Sequence, residues 1–188
     1  MAFESKALVI IDMLNDFVRP AGALAVKGAD ACVPAIDSLR TAFHKAGGLV
    51  IFLCDAHHPE DPEFRDWPPH AVRGTQGAQV ITELAPAPGD IVIPKCCIDT
   101  FEQPQFPELL GCRDLDEMLV TGVATEHCVL KTALGGRERG YAVAVVTDGV
   151  KGVDAEQGDV EKAEQTMREA GCRFASSSEL LEKLSQRG

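Results

Sequence analysis

Six short apolar runs rich in valine and isoleucine recur along the chain, and segments with helical periodicity lie between them. Nearly continuous apolar runs are typical of strands that helices cover on both faces, as in parallel sheets. The sequence therefore predicts an α/β protein with a doubly wound parallel sheet. The predicted strands are Ala7–Ile11, Leu49–Cys54, Ile91–Pro94, Met118–Thr121, Ala142–Thr147 and Cys172–Ala175.

Four helices are predicted from apolar spacing and from the residues that end helices. Glycines close three of them, and a serine followed by a glutamate is expected to cap the last. The predicted segments are Val33–Phe43 before Gly47 and Gly48, Cys128–Arg139 before Gly140, Val160–Ala170 before Gly171, and a helix that starts near Ser178 and Glu179.

Length and charge limit the classes of function. The chain has 188 residues, no internal repeat and no long linker, so residues 1–188 are expected to form a single domain. A net charge of −11 without a basic stripe argues against a nucleic-acid partner. No apolar run reaches transmembrane length, and the N-terminus enters the first strand without a basic leader. These features predict a cytoplasmic protein with no membrane partner.

Seven cysteines occur without a CxxC pair or regular spacing. This pattern does not predict a disulfide framework, so most of these residues are expected to be reduced and buried. One thiol with a special role is compatible with this count.

Polar residues follow four of the predicted strands. Asp12, Asp55 and Lys95 close the first three, and the fourth leads into Gly122–Cys128. Ligands of doubly wound sheets bind beyond the carboxyl ends of the strands, so these groups would share one rim if their strands are neighbours. Taken singly, each could instead be a solvated loop residue.

Together these groups suit nucleophilic catalysis. A thiol with a usual pKa of about 8.5 is more reactive beside an ammonium and at a helix N-terminus, which are the surroundings predicted for Cys128. Asp12 would take the thiol proton and pass it to a leaving amine, which implies acyl transfer from an amide through a thioester. The alternative for Cys128 is a small buried apolar residue. Cys96 and Cys97, next to Lys95, are expected to pack on opposite sides of a strand.

A second group of polar residues lies in the long segment after the second strand. Asp55 and His57 are two residues apart, and His70 follows beyond a turn. One carboxylate and two imidazoles suit zinc, iron or manganese, although a solvated loop would have a similar composition.

These motifs together resemble the isochorismatase-like cysteine hydrolases, and within them the nicotinamidase and pyrazinamidase group. The resemblance extends over effectively the whole chain. Its motifs are Ile11-Asp12 with Asn15-Asp16-Phe17, Gly22–Val26, Asp55-Ala56-His57, Trp67–Ala78, Pro94-Lys95 with Asp99-Thr100-Phe101, Gly122–Val129 and Asp148-Gly149-Val150.

The resemblance implies a sheet of about six parallel strands and assigns a role to each motif residue. Asp12, Lys95 and Cys128 match the catalytic triad, and the backbone N–H groups of Ala124 and Cys128 match the oxyanion hole. A cis peptide is implied between Val123 and Ala124.

The resemblance also implies a metal that binds the pyridine nitrogen of the substrate. Asp55, His57 and His70 match the metal ligands. Glu63 occupies a position where some nicotinamidases have a further histidine ligand, which leaves metal identity open with zinc favoured and iron or manganese as alternatives. Phe17 and Trp67 match the aromatic residues that enclose the substrate ring.

Other positions depart from the pattern or match no role. Ala71 replaces a usual cysteine that is not a ligand. His58 and His127 match no role and are excluded from the site.

The predicted function is therefore hydrolysis of nicotinamide, or a similar heteroaromatic amide, to the acid and ammonia. An alternative is a related cysteine hydrolase for a carbamoyl or ureido compound; such enzymes keep the triad and lack the metal motif. A phospho-accepting receiver module is a third hypothesis, but Asp12 has no neighbouring acid and this hypothesis leaves Cys128 and the histidines unexplained. Relatives are often dimers or larger, so a homo-oligomer is compatible with the resemblance.

Overall fold

The computed structural model describes residues 3–185. The strands are β1 (Lys6–Ile11), β2 (Leu49–Asp55), β3 (Ile91–Lys95), β4 (Glu117–Val123), β5 (Ala142–Lys151) and β6 (Arg173–Ala175). The α-helices are α1 (Asn15–Val18), α2 (Val33–Lys45), α3 (Gln105–Gly111), α4 (Leu130–Glu138), α5 (Asp159–Glu169) and α6 (Ser177–Ser185). The strands pair in parallel in the order β3-β2-β1-β4-β5-β6, which confirms the predicted sheet.

The central strand shows why its sequence is apolar throughout. Residues 7–11 of β1 are completely buried, and their side chains alternate between two hydrophobic clusters. Leu8 and Ile10 join the cluster that contains apolar residues of α2 and α6, whereas Ala7, Val9 and Ile11 join the one that contains residues of α3, α4 and α5. Helices therefore cover both faces of the sheet, which is why period-two alternation of polar residues is missing.

Two predicted helix starts are wrong. The helix after β4 begins at Leu130 rather than at Cys128, because a wide π-helical turn, Thr125–Val129, comes first and the backbone of His127 leaves the helical region with φ −118° and ψ −106°. The last helix begins at Ser177. Its cap is Ser176, whose hydroxyl accepts from the backbone N–H of Glu179 at 3.3 Å, while the Glu179 carboxylate accepts from the backbone N–H of Ser176 at 2.8 Å.

The strand order places the carboxyl ends of β3, β2, β1 and β4 side by side. Polar residues that are far apart in sequence therefore meet along one edge. Among residues 3–185, no helix is long and apolar enough to span a bilayer.

The backbone conformation at position 122, near the end of β4, requires a glycine. Its φ is +106°, and a Cβ there would lie 1.9 Å from the carbonyl oxygen of Ile11. We expect Gly122→Ala to lower the free energy of unfolding by about 2–3 kcal/mol, because the neighbouring strand must move and the alanine is strained. Urea denaturation measures this.

Gly111→Ala is the matched control, since its Cβ would meet no heavy atom within 4 Å. Its expected change is within about 0.5 kcal/mol. Equal effects of the two variants would contradict the steric argument.

Candidate active site and metal centre

The edge of the sheet brings together the polar residues at the carboxyl ends of β1, β2 and β3. Asp55 and Lys95 are direct partners in the register of β2 and β3. The backbone N–H of Asp12 donates to the carbonyl of Leu53 at 2.9 Å, and the Asp12 carboxylate accepts from the backbone N–H of Asp55 at 2.7 Å. The backbone pairing thus fixes all three residues before any ligand binds.

Lys95 lies at the centre of this group and is completely buried. Its Nζ is 2.8 Å from Asp12 Oδ2 and 3.3 Å from Cys128 Sγ, and it also donates to Asp55 Oδ1. Burial alone would lower the pKa of Lys95, but the charges of Asp12, Cys128 and Asp55 raise it well above its usual value. The side chain is therefore an ammonium that joins the predicted triad to Asp55.

The Asp12 carboxyl is suited to proton transfer near neutral pH. Burial and the nearby Asp55 charge raise its pKa from 3.8 to about 6, although Lys95 acts in the opposite direction. Burial is the main cause of the raised value, which suits a group that must both accept and donate a proton.

The thiol of Cys128 is buried beside the Lys95 ammonium. Burial raises its pKa well above the usual value, and the nearby charge of Lys95 offsets only part of this effect. The helix start that was expected to favour the thiolate also lies two residues further on. Burial therefore opposes formation of the thiolate at Cys128, while the Lys95 ammonium favours it.

The turn that carries Cys128 begins at Ala124. The Val123–Ala124 peptide is cis, which confirms that expectation. The carbonyl of Ala124 accepts from the backbone N–H groups of His127 and Val129, at 3.0 and 3.2 Å. The oxyanion role of the Ala124 and Cys128 N–H groups stays a prediction.

Next to the predicted triad, Asp55, His57 and His70 form a buried cluster in which one ligand atom from each lies within 4.8 Å of the others. The Nε2 atom of His57 is buried without a hydrogen-bond partner among the described residues and lies 3.7 Å from Asp55 Oδ2. A buried imidazole nitrogen without a partner is costly, and a bound cation would satisfy it. The donor set therefore fits a divalent metal, as the sequence predicts.

Glu63 lies at the margin of this cluster. Its Oε1 is 3.8 Å from His70 Nε2, and it also forms a second possible ligand group with His57 and Asp61, whose atoms lie within 4.8 Å of one another. The short 3₁₀ helix Pro62–Arg65 carries it. Glu63 as a fourth ligand therefore stays a prediction.

A cavity of about 110 Å³ lies beside the predicted triad and the candidate metal cluster. Phe17 and Trp67, the predicted ring-binding residues, both line it. Phe17 is buried and packs against the His70 ring with centroids 5.5 Å apart, whereas Trp67 is 39% exposed at the mouth. The cavity is lined by Asp12, Phe17, Leu24, Ala25, Val26, Asp55, Glu63, Trp67, His70, Ile98, Val123, Ala124, His127, Cys128 and Val153.

Two residues of this region, His127 and Asp16, were given no role from the sequence. His127 was excluded, yet it lines the cavity and its ring meets Trp67 edge to face at 6.1 Å. Its position directly before Cys128 was a signal for this. Asp16 was quoted only as part of a motif, but its carboxylate accepts from the backbone N–H groups of Ala23 and Ala71, at 3.2 and 2.8 Å. Asp16 thereby joins two chain segments around the cavity.

The remaining expectations concern His58 and the cysteines. His58 is exposed on the loop, away from the cavity lining, in agreement with its exclusion. All seven cysteines are free thiols. Cys96 is exposed and Cys97 is half-buried, and neither lies in a strand, because β3 ends at Lys95.

Comparisons with known proteins agree with this architecture. A sequence profile described as the isochorismatase domain matches residues 6–179. The nicotinamidase/pyrazinamidase of Mycobacterium tuberculosis (strain ATCC 25618 / H37Rv) is 34% identical over 188 residues, covering 92% of this chain and 100% of the relative. The nicotinamidase of Escherichia coli (strain K12) is 29% identical over 197 residues, covering 88% and 92%.

Solved structures of similar proteins have the same fold as this chain. The pyrazinamidase of Pyrococcus horikoshii in complex with zinc has a TM-score of 0.85 at 29% identity, with 92% of this chain and 99% of that chain covered. The N-carbamoylsarcosine amidase of Thermoplasma acidophilum has a TM-score of 0.82 at 29% identity, with 92% and 96% covered. This chain belongs to the isochorismatase family of hydrolases, among which it resembles the nicotinamidases and pyrazinamidases.

Proposed function

We propose that this chain is a metal-containing cysteine amidohydrolase that converts nicotinamide to nicotinate and ammonia. The observation that carries the proposal is one small cavity lined by the thiol of Cys128, by the candidate metal ligands Asp55 and His70, and by aromatic side chains. A thiol supplies the nucleophile for an amide, while a metal beside aromatic walls suits a flat ring with a basic nitrogen. Curated relatives named nicotinamidases support the same substrate.

The first half of the mechanism forms a thioester. Phe17 and Trp67 hold the ring so that the carboxamide carbon faces Cys128 Sγ. Asp12 removes the thiol proton as sulfur attacks the carboxamide carbon. The backbone N–H groups of Ala124 and Cys128 stabilise the oxyanion, and Asp12 then gives the proton to the departing ammonia.

In the second half, Asp12 deprotonates a water that attacks the thioester and releases nicotinate and the Cys128 thiol. Lys95 stays an ammonium, and its positive charge stabilises negative charge on Asp12 and on the Cys128 sulfur. Asp55, His57 and His70 would hold the metal, with Glu63 as a further candidate. When bound, the metal supplies a Lewis-acidic position for the ring nitrogen of the substrate.

Hydrolysis of a carbamoyl compound is the second candidate. The N-carbamoylsarcosine amidase of Thermoplasma acidophilum resembles this chain at 29% identity, the same value as the zinc-bound pyrazinamidase. Similarity of fold therefore does not distinguish a nicotinamide hydrolase from a carbamoyl hydrolase. The buried Asp55, His57 and His70 cluster favours nicotinamide, because a carbamoyl compound has no ring nitrogen to place on a metal.

A substrate panel tests the proposal. Ammonia release is measured for nicotinamide, pyrazinamide, benzamide and N-carbamoylsarcosine, with zinc-loaded and chelator-treated protein. We expect nicotinamide to exceed benzamide at least about 100-fold in kcat/KM with metal, because only the former has a ring nitrogen, and this ratio to fall sharply without metal.

Benzamide is the matched control for the ring nitrogen, since the two substrates differ at one ring atom. Faster hydrolysis of N-carbamoylsarcosine than of nicotinamide by the zinc-loaded protein would overturn the proposal in favour of the second candidate.

A further inference from the structure

The carboxylate of Asp61 connects two candidate metal ligands. Its Oδ2 lies 3.1 Å from His57 Nδ1, and its Oδ1 accepts the backbone N–H of Glu63 at 3.0 Å. Asp61 itself is held in place, because its backbone N–H donates to the carbonyl of His58 at 3.0 Å. Both carboxylate oxygens are therefore used, each toward a different part of the metal centre.

The contact with His57 determines which ring nitrogen is available. A carboxylate only accepts hydrogen bonds, so in the neutral His57 ring, the form that binds a metal, Nδ1 carries the proton and Nε2 carries the lone pair. This Nε2 atom is the buried one that has no partner in the described part of the chain, and it points to the cluster with Asp55 and His70. A carboxylate on the far nitrogen of a ligating histidine fixes its tautomer and increases its basicity.

The contact with Glu63 fixes the short helix that carries it. Asp61 caps Pro62–Arg65 through the Glu63 N–H. Phe64 in this helix packs against the rings of both His57 and His70, with centroids 5.5 and 5.6 Å away. The Asp61 carboxylate thus fixes the orientation of the His57 ring and also the position of the Pro62–Arg65 segment, which faces His70.

From these contacts we infer that Asp61 is a positioning residue of the metal centre, which orients His57 and the Glu63 segment without itself binding the ion. The inference rests on the metal-dependent function proposed above. It assigns a role to a side chain that the sequence motifs did not single out.

Zinc affinity tests this without substrate. Competition with a chromogenic chelator gives the dissociation constant for Zn²⁺ of the full chain and of Asp61→Ala, Asp61→Asn, His70→Ala and Asp66→Ala. We expect Asp61→Ala to weaken zinc binding about 10–100-fold. We expect Asp61→Asn to lose much less, because its amide oxygen still accepts from one of the two N–H groups.

Asp66→Ala is the matched control, since Asp66 is an exposed acid directly after the same short helix and its loss changes the net charge equally. Its zinc affinity is expected to stay within about twofold of the parent. His70→Ala gives the reference for loss of a candidate ligand. Thermal unfolding of the metal-free proteins checks that Asp61→Ala remains folded.

The absorption spectrum of the Co²⁺-substituted proteins separates positioning from ligation. We expect Asp61→Ala at saturating Co²⁺ to keep the parent's spectrum, whereas His70→Ala changes it. Zinc affinity of Asp61→Ala equal to that of Asp66→Ala, or a cobalt spectrum altered as in His70→Ala, would overturn the inference. Because no substrate is used, the outcome is independent of whether nicotinamide is hydrolysed.

Discussion

Replacing Cys128 by alanine is expected to lower kcat/KM for nicotinamide at least about 10³-fold, because no other thiol among residues 3–185 lines the cavity. The remaining groups can bind and polarise the amide but cannot form the thioester. The measurement is ammonia release by the zinc-loaded protein. Thermal unfolding of the same sample is expected to show a folded variant, since only one sulfur atom is removed from a buried site.

Cys172→Ala is the control for this experiment. Cys172 and Cys128 are both free, both 7% exposed, and both in the same hydrophobic cluster, but Cys172 is outside the cavity lining. Its activity is expected to remain close to that of the parent. If Cys128→Ala kept parental activity as well, Cys128 would be a packing residue and the thioester mechanism would be wrong.

Lys95→Met is expected to destabilise the metal-free protein by roughly 3–5 kcal/mol, the usual cost of removing one partner from a buried ion pair. Lys95 is the only cation that the structure shows within ion-pair distance of Asp12, and it also pairs with Asp55. Without it, two buried carboxylates face each other in a methionine-sized apolar space. Urea denaturation at neutral pH, after metal removal, measures the loss.

Lys131→Met makes the same chemical change at an exposed position of α4. Its free energy of unfolding is expected to change by no more than about 0.5 kcal/mol. A Lys95→Met protein as stable as Lys131→Met would mean that the carboxylates do not depend on the ammonium, and the ion-pair account would fail.

The fold could be predicted because its main signal is local. Runs such as Ala7–Ile11 are apolar at every position, and this pattern by itself indicates strands covered on both faces. Helix starts were less predictable. The hydroxyl of Ser176, rather than Ser178, caps α6, and the wide turn before Leu130 delays α4, because both depend on side-chain and backbone geometry that composition does not express.

The residue types of the candidate site were also visible in the sequence. Asp12, Asp55 and Lys95 stand at strand ends, and Cys128 follows the fourth strand in a motif of its own. The resemblance to a family then joined them into one hypothesis. What the sequence left open was whether β3, β2, β1 and β4 are neighbours, and that order is what makes these groups meet.

The sequence by itself therefore determined the strands, the parallel sheet and the residue types at its edge, because these follow from local patterns of apolar and polar residues. Only the tertiary structure decided that Asp55 contacts Lys95 and also belongs to the candidate metal cluster, that burial raises the pKa of the Cys128 thiol, and that Asp61 contacts His57. The physical reason is that charge, desolvation and hydrogen bonding depend on distances between residues far apart in the chain, and folding alone sets those distances.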